Sequence, residues 1–238
     1  MFYYMSILHN GCLCDCIFFN TLLCILEDSA KIILRYTRVI ETAAERDSQM
    51  NNKTKQLVGV GMLTALVVVL QALAVGIRFG VFNITLVLVP MVVGAALYGK
   101  WAGAWLGFVF GLMVLFTDAG AFLAISIPGT IATCLLKGAL AGLLAGLVYQ
   151  LLAGKSRTLA VIAAGVVAPV VNTGIFLLGC RLFFYGTIQT WATEAGFESA
   201  GLFMVTAFVG VNFLVELAVN LVLSSGIVRI IQIATKAK

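Results

Sequence analysis

The sequence predicts an all-α integral membrane protein with six transmembrane helices. Three observations carry this: the composition, the length of the apolar runs, and the basic residues that separate them. Hydrophobic residues make up 62% of the 238 residues and charged residues 11%, against roughly 25% charged in an ordinary soluble domain. Mean hydropathy is +1.09. A soluble globule needs a charged shell, and this chain lacks the residues to build one. Soluble enzyme, nucleic-acid binder and disordered chain are therefore excluded as classes. The apolar runs are long and do not alternate, which selects helices over a β-barrel. From residue 50 onward, 11 Lys and Arg stand against 4 Asp and Glu. Most of the basic residues lie between the runs, where they set topology rather than mark a nucleic-acid surface.

Residues 1–49 differ from the rest. They hold six of the ten acids, four of the six cysteines and one of the 24 glycines. The stretch 1–26 is apolar but broken by His9, Asn10, Asp15 and Asn20, and it has neither the basic start nor the small-residue cleavage site of a signal peptide. Residues 27–49 have the mixed charge of a short amphipathic helix. Met50-Asn-Asn-Lys-Thr-Lys leads directly into a clean apolar run, as a bacterial inner-membrane protein commonly begins. Residues 1–49 are thus expected to be an N-terminal over-extension, or else a cytosolic extension, with 50–238 the membrane domain. Cys12, Cys14 and Cys16 beside His9 have a spacing too short for a zinc site and no second cluster; no metal is expected. Cys134 and Cys180 sit in apolar runs and read as packing residues.

A spanning helix needs about 20 apolar residues rising about 1.5 Å each. The run 57–77 qualifies, with Gln71 its one strongly polar residue. The runs 84–98 and 101–116 are shorter, separated by Gly99-Lys100. As one helix they would be about 50 Å long, too long for a bilayer, so a tight helical hairpin is expected. The fourth span is 129–152 with Lys137, the fifth 159–180 with Pro169, and the sixth 202–223 with Glu216.

Placing the N-terminus inside puts Lys53, Lys55, Lys100, Lys155, Arg157, Arg229, Lys236 and Lys238 on the inner side. The outer segments receive Arg78 and Arg181, with Asp118, Glu194 and Glu198. This is a strong positive-inside pattern, and it makes both termini cytoplasmic. The outer connections, 117–128 and 185–201, are then the long loops.

Gly99, Gly103, Gly107 and Gly111 recur every four residues through the third span, and Gly138, Gly142 and Gly146 through the fourth. Small residues four apart share a helix face and let backbones approach closely, so these two spans are expected to pack together inside the bundle. Gly61 and Ala65 form a shorter pair on the first span, where a partner membrane protein is an alternative.

Charges inside spans are costly and mark function. Lys137 stands eight residues, about 12 Å, from the outer end of its span. Asn172 and Asn212 reach similar depths, and Asn212, Glu216 and Asn220 form one stripe at i, i+4, i+8. These residues predict a polar pocket among spans four to six, open outward under the outer loops. The alternative is a structural one, with Lys137 paired to Glu216 and the asparagines bonding between helices. Pro128 and Gly129 open the fourth span, whose free backbone N–H groups would suit an anion.

Catalytic motifs are missing. Ala153-Gly154-Lys155-Ser156 resembles the end of a P-loop, but its first glycine would fall on Tyr149. The only histidine is His9, so a Ser-His-Asp triad cannot be built in the membrane domain, and no enzyme is expected.

One pattern remains. A basic start precedes a first span with small residues four apart, then Leu88-Val-Pro90 in a short second span. There follows Tyr98-Gly-Lys-Trp-Ala-Gly103-Ala-Trp-Leu-Gly107-Phe-Val-Phe-Gly111-Leu, and two later spans with central asparagines. Over residues 50–238 this resembles the substrate-binding S components of energy-coupling factor (ECF) vitamin transporters. The resemblance implies a six-helix bundle that captures a vitamin or similar micronutrient from outside. It implies partners as well, a transmembrane coupling subunit and two cytoplasmic ATPases, so that ATP is used by other chains and this one carries no cofactor. Small residues of the family's first helix, often Ala-xxx-Ala, meet the coupling subunit; the matching positions are Gly61 and Ala65, with Gly in place of the first Ala. The family's pockets implicate Lys137, Asn172, Asn212 and Glu216 in ligand contact, with Asp118 and Arg181 at the outer end. A buried Lys137 favours a carboxylate-bearing vitamin such as pantothenate, folate or biotin. Two other classes compete: a self-sufficient ion-coupled secondary transporter, with Glu216 as proton carrier, and a membrane-embedded enzyme. The short chain without a clear internal repeat counts against the first, and the missing nucleophile–base pairs against the second.

Overall fold

The computed structural model describes residues 52–76 and 87–210 and, in the last stretch, 213–214, 216–218, 220–223, 226 and 228. The expectations for 1–49, Arg78, Asn212, Arg229, Lys236 and Lys238 lie outside the described residues. Among the described residues there is no strand; every regular element is helical. Four helices are long and apolar enough to cross a membrane, with a shorter apolar helix beside them.

Helix α1, Asn52–Gly76, has 25 residues, a length of about 37 Å that exceeds the roughly 30 Å hydrocarbon core. Leu63, Val67, Leu70 and Gln71 are its buried residues, a stripe at i, i+4, i+7, i+8. Leu57, Val58, Val69 and Leu73 are exposed. Lipid tails are as apolar as leucine, so exposing them in a bilayer carries no penalty.

Helix α2, Leu88–Tyr98, is only 11 residues, and every residue from Leu88 to Ala95 is buried. At about 16 Å it reaches halfway through a bilayer, so the described part of the second run is an enclosed half-span rather than a full crossing. Pro90 sits in its first turn, where the missing N–H would have no helical partner. Gly99 then turns the chain with φ +93°, a left-handed backbone that a side chain would disfavour. Its N–H donates to Ala95 O at 3.1 Å and its carbonyl accepts from Gly103 N at 3.1 Å. The expected hairpin is present, but Gly99 makes the corner instead of joining the glycine ladder.

Helix α3, Lys100–Thr117, runs antiparallel to α5, Ile127–Ala153, and the ladder is their seam. A Cβ added to Gly103 would stand 2.5 Å from the Gly142 carbonyl oxygen. Additions at Gly107 and Gly138 would each run into the other's carbonyl oxygen, and one at Gly111 into that of Cys134. The two backbones touch with nothing between them. Where hydrophobic drive between helices is absent, this close van der Waals contact holds a bundle together.

Helix α6, Arg157–Phe183, packs on the other side of α5, with Gly179 against the Thr133 side chain. Pro169 lies inside it, removing one i→i−4 hydrogen bond without ending the helix. Ser156 caps its start, Oγ accepting from Leu159 N at 3.4 Å. At one end of the bundle the start of α1, the α2–α3 corner and the end of α5 meet. Gln56 Nε2 donates to Tyr98 O at 3.2 Å, and a Cβ on Gly146 would be 2.7 Å from Lys100 Cα. This gathers Lys53, Lys55, Lys100, Lys155 and Arg157 toward one end.

At the opposite end the connections are the long ones, as expected, but they carry short helices. The first connection contains the one-turn helix α4, Gly120–Leu123. The second contains α7, Tyr185–Glu194, and α8, Ala200–Phe203. In α7, Ile188 and Ala192 are buried one turn apart among polar neighbours, an amphipathic pattern at i, i+4. Gln189 Oε1 accepts from Ala200 N at 3.2 Å and ties α7 to α8. The sixth run also departs from expectation. After α8 it continues through a π-helical stretch, Met204–Val209, before helical geometry resumes. The wider i→i+5 turn inserts a residue and rotates the faces that follow.

Candidate functional site

A cavity of about 250 Å³ lies between α3, α5, α6 and the last segment, at the end away from the basic turns. Each wall follows from helical periodicity. Helix α5 contributes Thr130, Thr133, Cys134 and Lys137, at i, i+3, i+4, i+7 and so on one face. Helix α6 contributes Asn172, Thr173 and Phe176, and α3 contributes Phe110, Val114 and Asp118. Ala207, Phe213 and Glu216 come from the last segment.

Aromatic side chains roof the cavity. Phe122 of α4 meets Phe184 at 5.0 Å, Phe176 at 5.8 Å and Trp191 of α7 at 6.1 Å between ring centroids, all edge-on. Phe184 also belongs to a buried cluster with Cys180, Ile188, Ala200 and Met204. Both outer connections thus converge on one ring, and Phe122 is the point where the roof is joined. Edge-to-face pairs of this kind contribute about 0.5–1.5 kcal/mol each beyond area burial.

The polar groups inside are unevenly satisfied. The Lys137 ammonium stands over the rings of Phe176 at 5.1 Å and Phe110 at 6.0 Å, where the aromatic quadrupoles replace part of its hydration. Asp118 Oδ2 accepts from Gln71 Nε2 at 2.9 Å and from Thr117 Oγ1 at 2.8 Å. Gln71, 1% exposed, belongs to α1, so the first helix holds a wall residue from behind. Glu216 is buried, and its backbone carbonyl accepts from Asn220 Nδ2 at 2.8 Å. Asn172 is 8% and Thr133 5% exposed, yet Asn172 Oδ1 and Thr133 Oγ1 have no hydrogen-bond partner. An unmade bond at a buried polar atom costs about 1–3 kcal/mol. Both residues line the cavity, and the two atoms are buried in the packing behind its surface.

Of the residues expected at the site, Lys137, Asn172, Glu216 and Asp118 are brought together, and α3 joins spans four to six as a wall. Arg181 is not brought in: its side chain is exposed, and its guanidinium stacks on Tyr185 at 4.1 Å. Position 181 lies on α6 about a turn beyond Phe176 and Leu177, and it points away from the lining. Asn212 lies outside the described residues. The expected anion site at the start of the fourth span is also corrected. The helix begins at Ile127, and Ser126 Oγ caps Gly129 N at 3.3 Å while Ser126 O accepts from Thr130 N at 3.0 Å. Gly61 and Ala65 are exposed on α1, and a Cβ added to Gly61 meets nothing within 4 Å. Trp105 of α3 closes beside them, Nε1 donating to Thr64 Oγ1 at 3.3 Å.

Thr130, Thr133 and the phenylalanine walls were not singled out in the sequence. A signal existed, since Thr130 and Thr133 share the face of Lys137 at i−7 and i−4. Threonines and phenylalanines are too common in membrane helices for that spacing to stand out.

The chain matches the family model for the ECF transporter, substrate-specific component, over residues 55–228. No curated protein and no solved structure matches it. The match runs from the first turn of α1 through the segment carrying Glu216, so it takes in every described wall of the cavity. An all-helical membrane bundle with a cavity lined by polar and aromatic side chains is what a subunit that selects a solute requires. The chain belongs to the family of ECF transporter substrate-specific components.

Proposed function

We propose that this chain captures a small water-soluble solute of the vitamin class in the cavity beneath Phe122 and delivers it inward as the binding subunit of an ECF-type importer. A transmembrane coupling subunit and two cytoplasmic ATPases complete the machine, and ATP is hydrolysed on those partners. The observation that carries this reading is one cavity within a membrane bundle whose lining gathers Lys137, Asn172, Thr133, Asp118 and Glu216. Family membership supports the partnership. The gathering of basic residues at the end opposite the cavity supports an orientation with that end, and both termini, in the cytoplasm of a bacterial cell. The open Gly61–Ala65 face of α1 is where the coupling subunit docks, because small residues let a second backbone approach.

The test is a ligand screen. The detergent-purified protein is heated with each of the water-soluble vitamins and their precursors. Binding to the folded state alone raises stability by about 4 kcal/mol at a thousandfold excess over Kd. One strong stabiliser, taken up by cells only when the coupling subunit and ATPases are present, supports the reading. Uptake by the lone chain in liposomes, driven by an ion gradient, would instead establish a secondary transporter.

A further inference from the structure

Helix α1 has two faces, and a short run of contacts ties it to the roof of the cavity. Val58, Gly61, Ala65, Val69 and Ala72 are exposed, at i, i+3, i+7, i+11 and i+14 and so on one side of the helix. This is the side on which the coupling subunit is proposed to dock. Leu63, Val67, Leu70 and Gln71 are buried on the other side. Gln71 is the polar member of that stripe, and a buried amide needs partners. Its Nε2 donates to Asp118 Oδ2 at 2.9 Å and to Thr117 Oγ1 at 3.2 Å. Thr117 Oγ1 donates to the same carboxylate oxygen at 2.8 Å. Bonds to a carboxylate are stronger than those between neutral groups, so Asp118 is fixed from α1 as well as from α3.

Asp118 is where the cavity wall becomes its roof. Its N–H donates to Val114 O at 2.9 Å and closes α3, and its side chain lines the cavity. The next residue, Ala119, is buried, and its carbonyl accepts from Phe122 N at 3.0 Å and from Leu123 N at 2.9 Å. That turn places Phe122, whose ring meets Phe176, Phe184 and Trp191. Stability alone does not explain a glutamine at 71. Among the described residues its Oε1 has no hydrogen-bond partner, and a methionine would fill similar space without that cost. What the glutamine supplies, and a methionine does not, is a fixed distance between α1 and Asp118.

We propose that Gln71 is a positioning residue that couples α1 to the roof, so that docking of the coupling subunit on α1 loosens the cover of Phe122 over the cavity. The inference rests on the docking and capture reading given above. A binding subunit that held its solute as tightly after docking as before would deliver nothing, so the docked state must cover the cavity less firmly. The coupling is reciprocal: the factor by which docking favours opening is the factor by which opening favours docking.

The experiment reads the roof without a solute. Cys134 is a free cysteine that lines the cavity and is 7% exposed. The full chain is treated with N-ethylmaleimide, alone and in complex with the coupling subunit and ATPases, and alkylation of Cys134 is followed by mass spectrometry of its peptide. Docking is expected to raise that rate about fivefold or more, the lower end of typical coupling between sites. In Gln71→Met and in Thr117→Val the complex is expected to form with the increase reduced to less than about twofold. Leu63→Ala loosens the same buried stripe about two turns from Gln71 and is expected to keep the parent's increase, which a merely structural role for Gln71 would not allow. An undiminished increase in Gln71→Met and Thr117→Val, or no increase in the parent complex, would overturn the inference and leave capture standing. If one of the two variants does not fold or assemble, the other decides. Failure of both, with Leu63→Ala intact, would make the contacts structural only and overturn the inference. Absence of any complex with the parent chain would overturn the docking reading as well.

Discussion

Adding a single methyl group at the α3–α5 seam tests what holds the cavity walls together. Gly107→Ala and Gly138→Ala each put a Cβ onto the opposite backbone carbonyl. At the neighbouring rung the distance is 2.5 Å, where ordinary van der Waals contact begins at 3.4 Å, so the helices must part by about 0.9 Å locally. Overpacking of this kind costs about 1–3 kcal/mol. Alanine also favours a helix over glycine by up to about 1 kcal/mol, which partly masks the cost. Gly61→Ala supplies the control, because its Cβ meets nothing within 4 Å and only the propensity gain remains. The difference between Gly107→Ala and Gly61→Ala isolates the packing term. It is expected at about 1–3 kcal/mol, a factor of about 5–150 in the unfolding equilibrium. The assay is equilibrium unfolding of the purified protein in mixed detergent, each variant against the parent chain. The double variant Gly107→Ala/Gly138→Ala is expected to cost less than the sum, because one displacement relieves both clashes. If Gly107→Ala and Gly138→Ala are as stable as Gly61→Ala, direct backbone contact is not what joins these helices.

Gln71→Met removes the donor that holds Asp118 from α1, and a hydrogen bond to a charged group contributes about 1.5–3 kcal/mol. A loss of about 1–2 kcal/mol is expected in the same unfolding assay, since the change also removes the partnerless Gln71 Oε1. Phe122→Ala breaks three ring contacts of the roof; solute dissociation, followed by stopped-flow, is expected to quicken at least tenfold. Arg181→Ala is expected to leave solute affinity within a factor of two, as the guanidinium stacks on Tyr185 outside the cavity. Gly61→Leu fills the open face of α1 and is expected to reduce co-purification of the coupling subunit and ATPases severalfold while solute binding by the free subunit is unchanged. Intact assembly with Gly61→Leu would place the docking surface elsewhere.

Hydropathy and charge order alone determined that this is a helical membrane protein and where most of its long helices run. That is a one-dimensional property: about 20 apolar residues cross a bilayer whatever surrounds them. The glycine repeats also foretold the α3–α5 seam, because a small-residue stripe has meaning only against another backbone. That Lys137, Asn172 and Glu216 share one cavity lining was legible in part, since polar groups inside a membrane are costly and face the bundle interior. Arg181 was not, because depth along a helix is read from sequence whereas the direction of a side chain depends on the helix's rotation in the bundle. The helices within the outer connections went unseen for a related reason. Residues 185–194 have too little apolar surface to announce a helix, and Ile188 finds its cover only in the cluster with Cys180, Phe184, Ala200 and Met204. The π-helical turn at Met204–Val209 and the cap of Ser126 on Gly129 likewise arise from local geometry that hydropathy does not encode. Tertiary structure alone decided that Asn172 and Thr133 line one cavity while their Oδ1 and Oγ1 atoms are buried without partners, because hydrogen-bond satisfaction is a property of neighbours in space, and these neighbours come from two different helices.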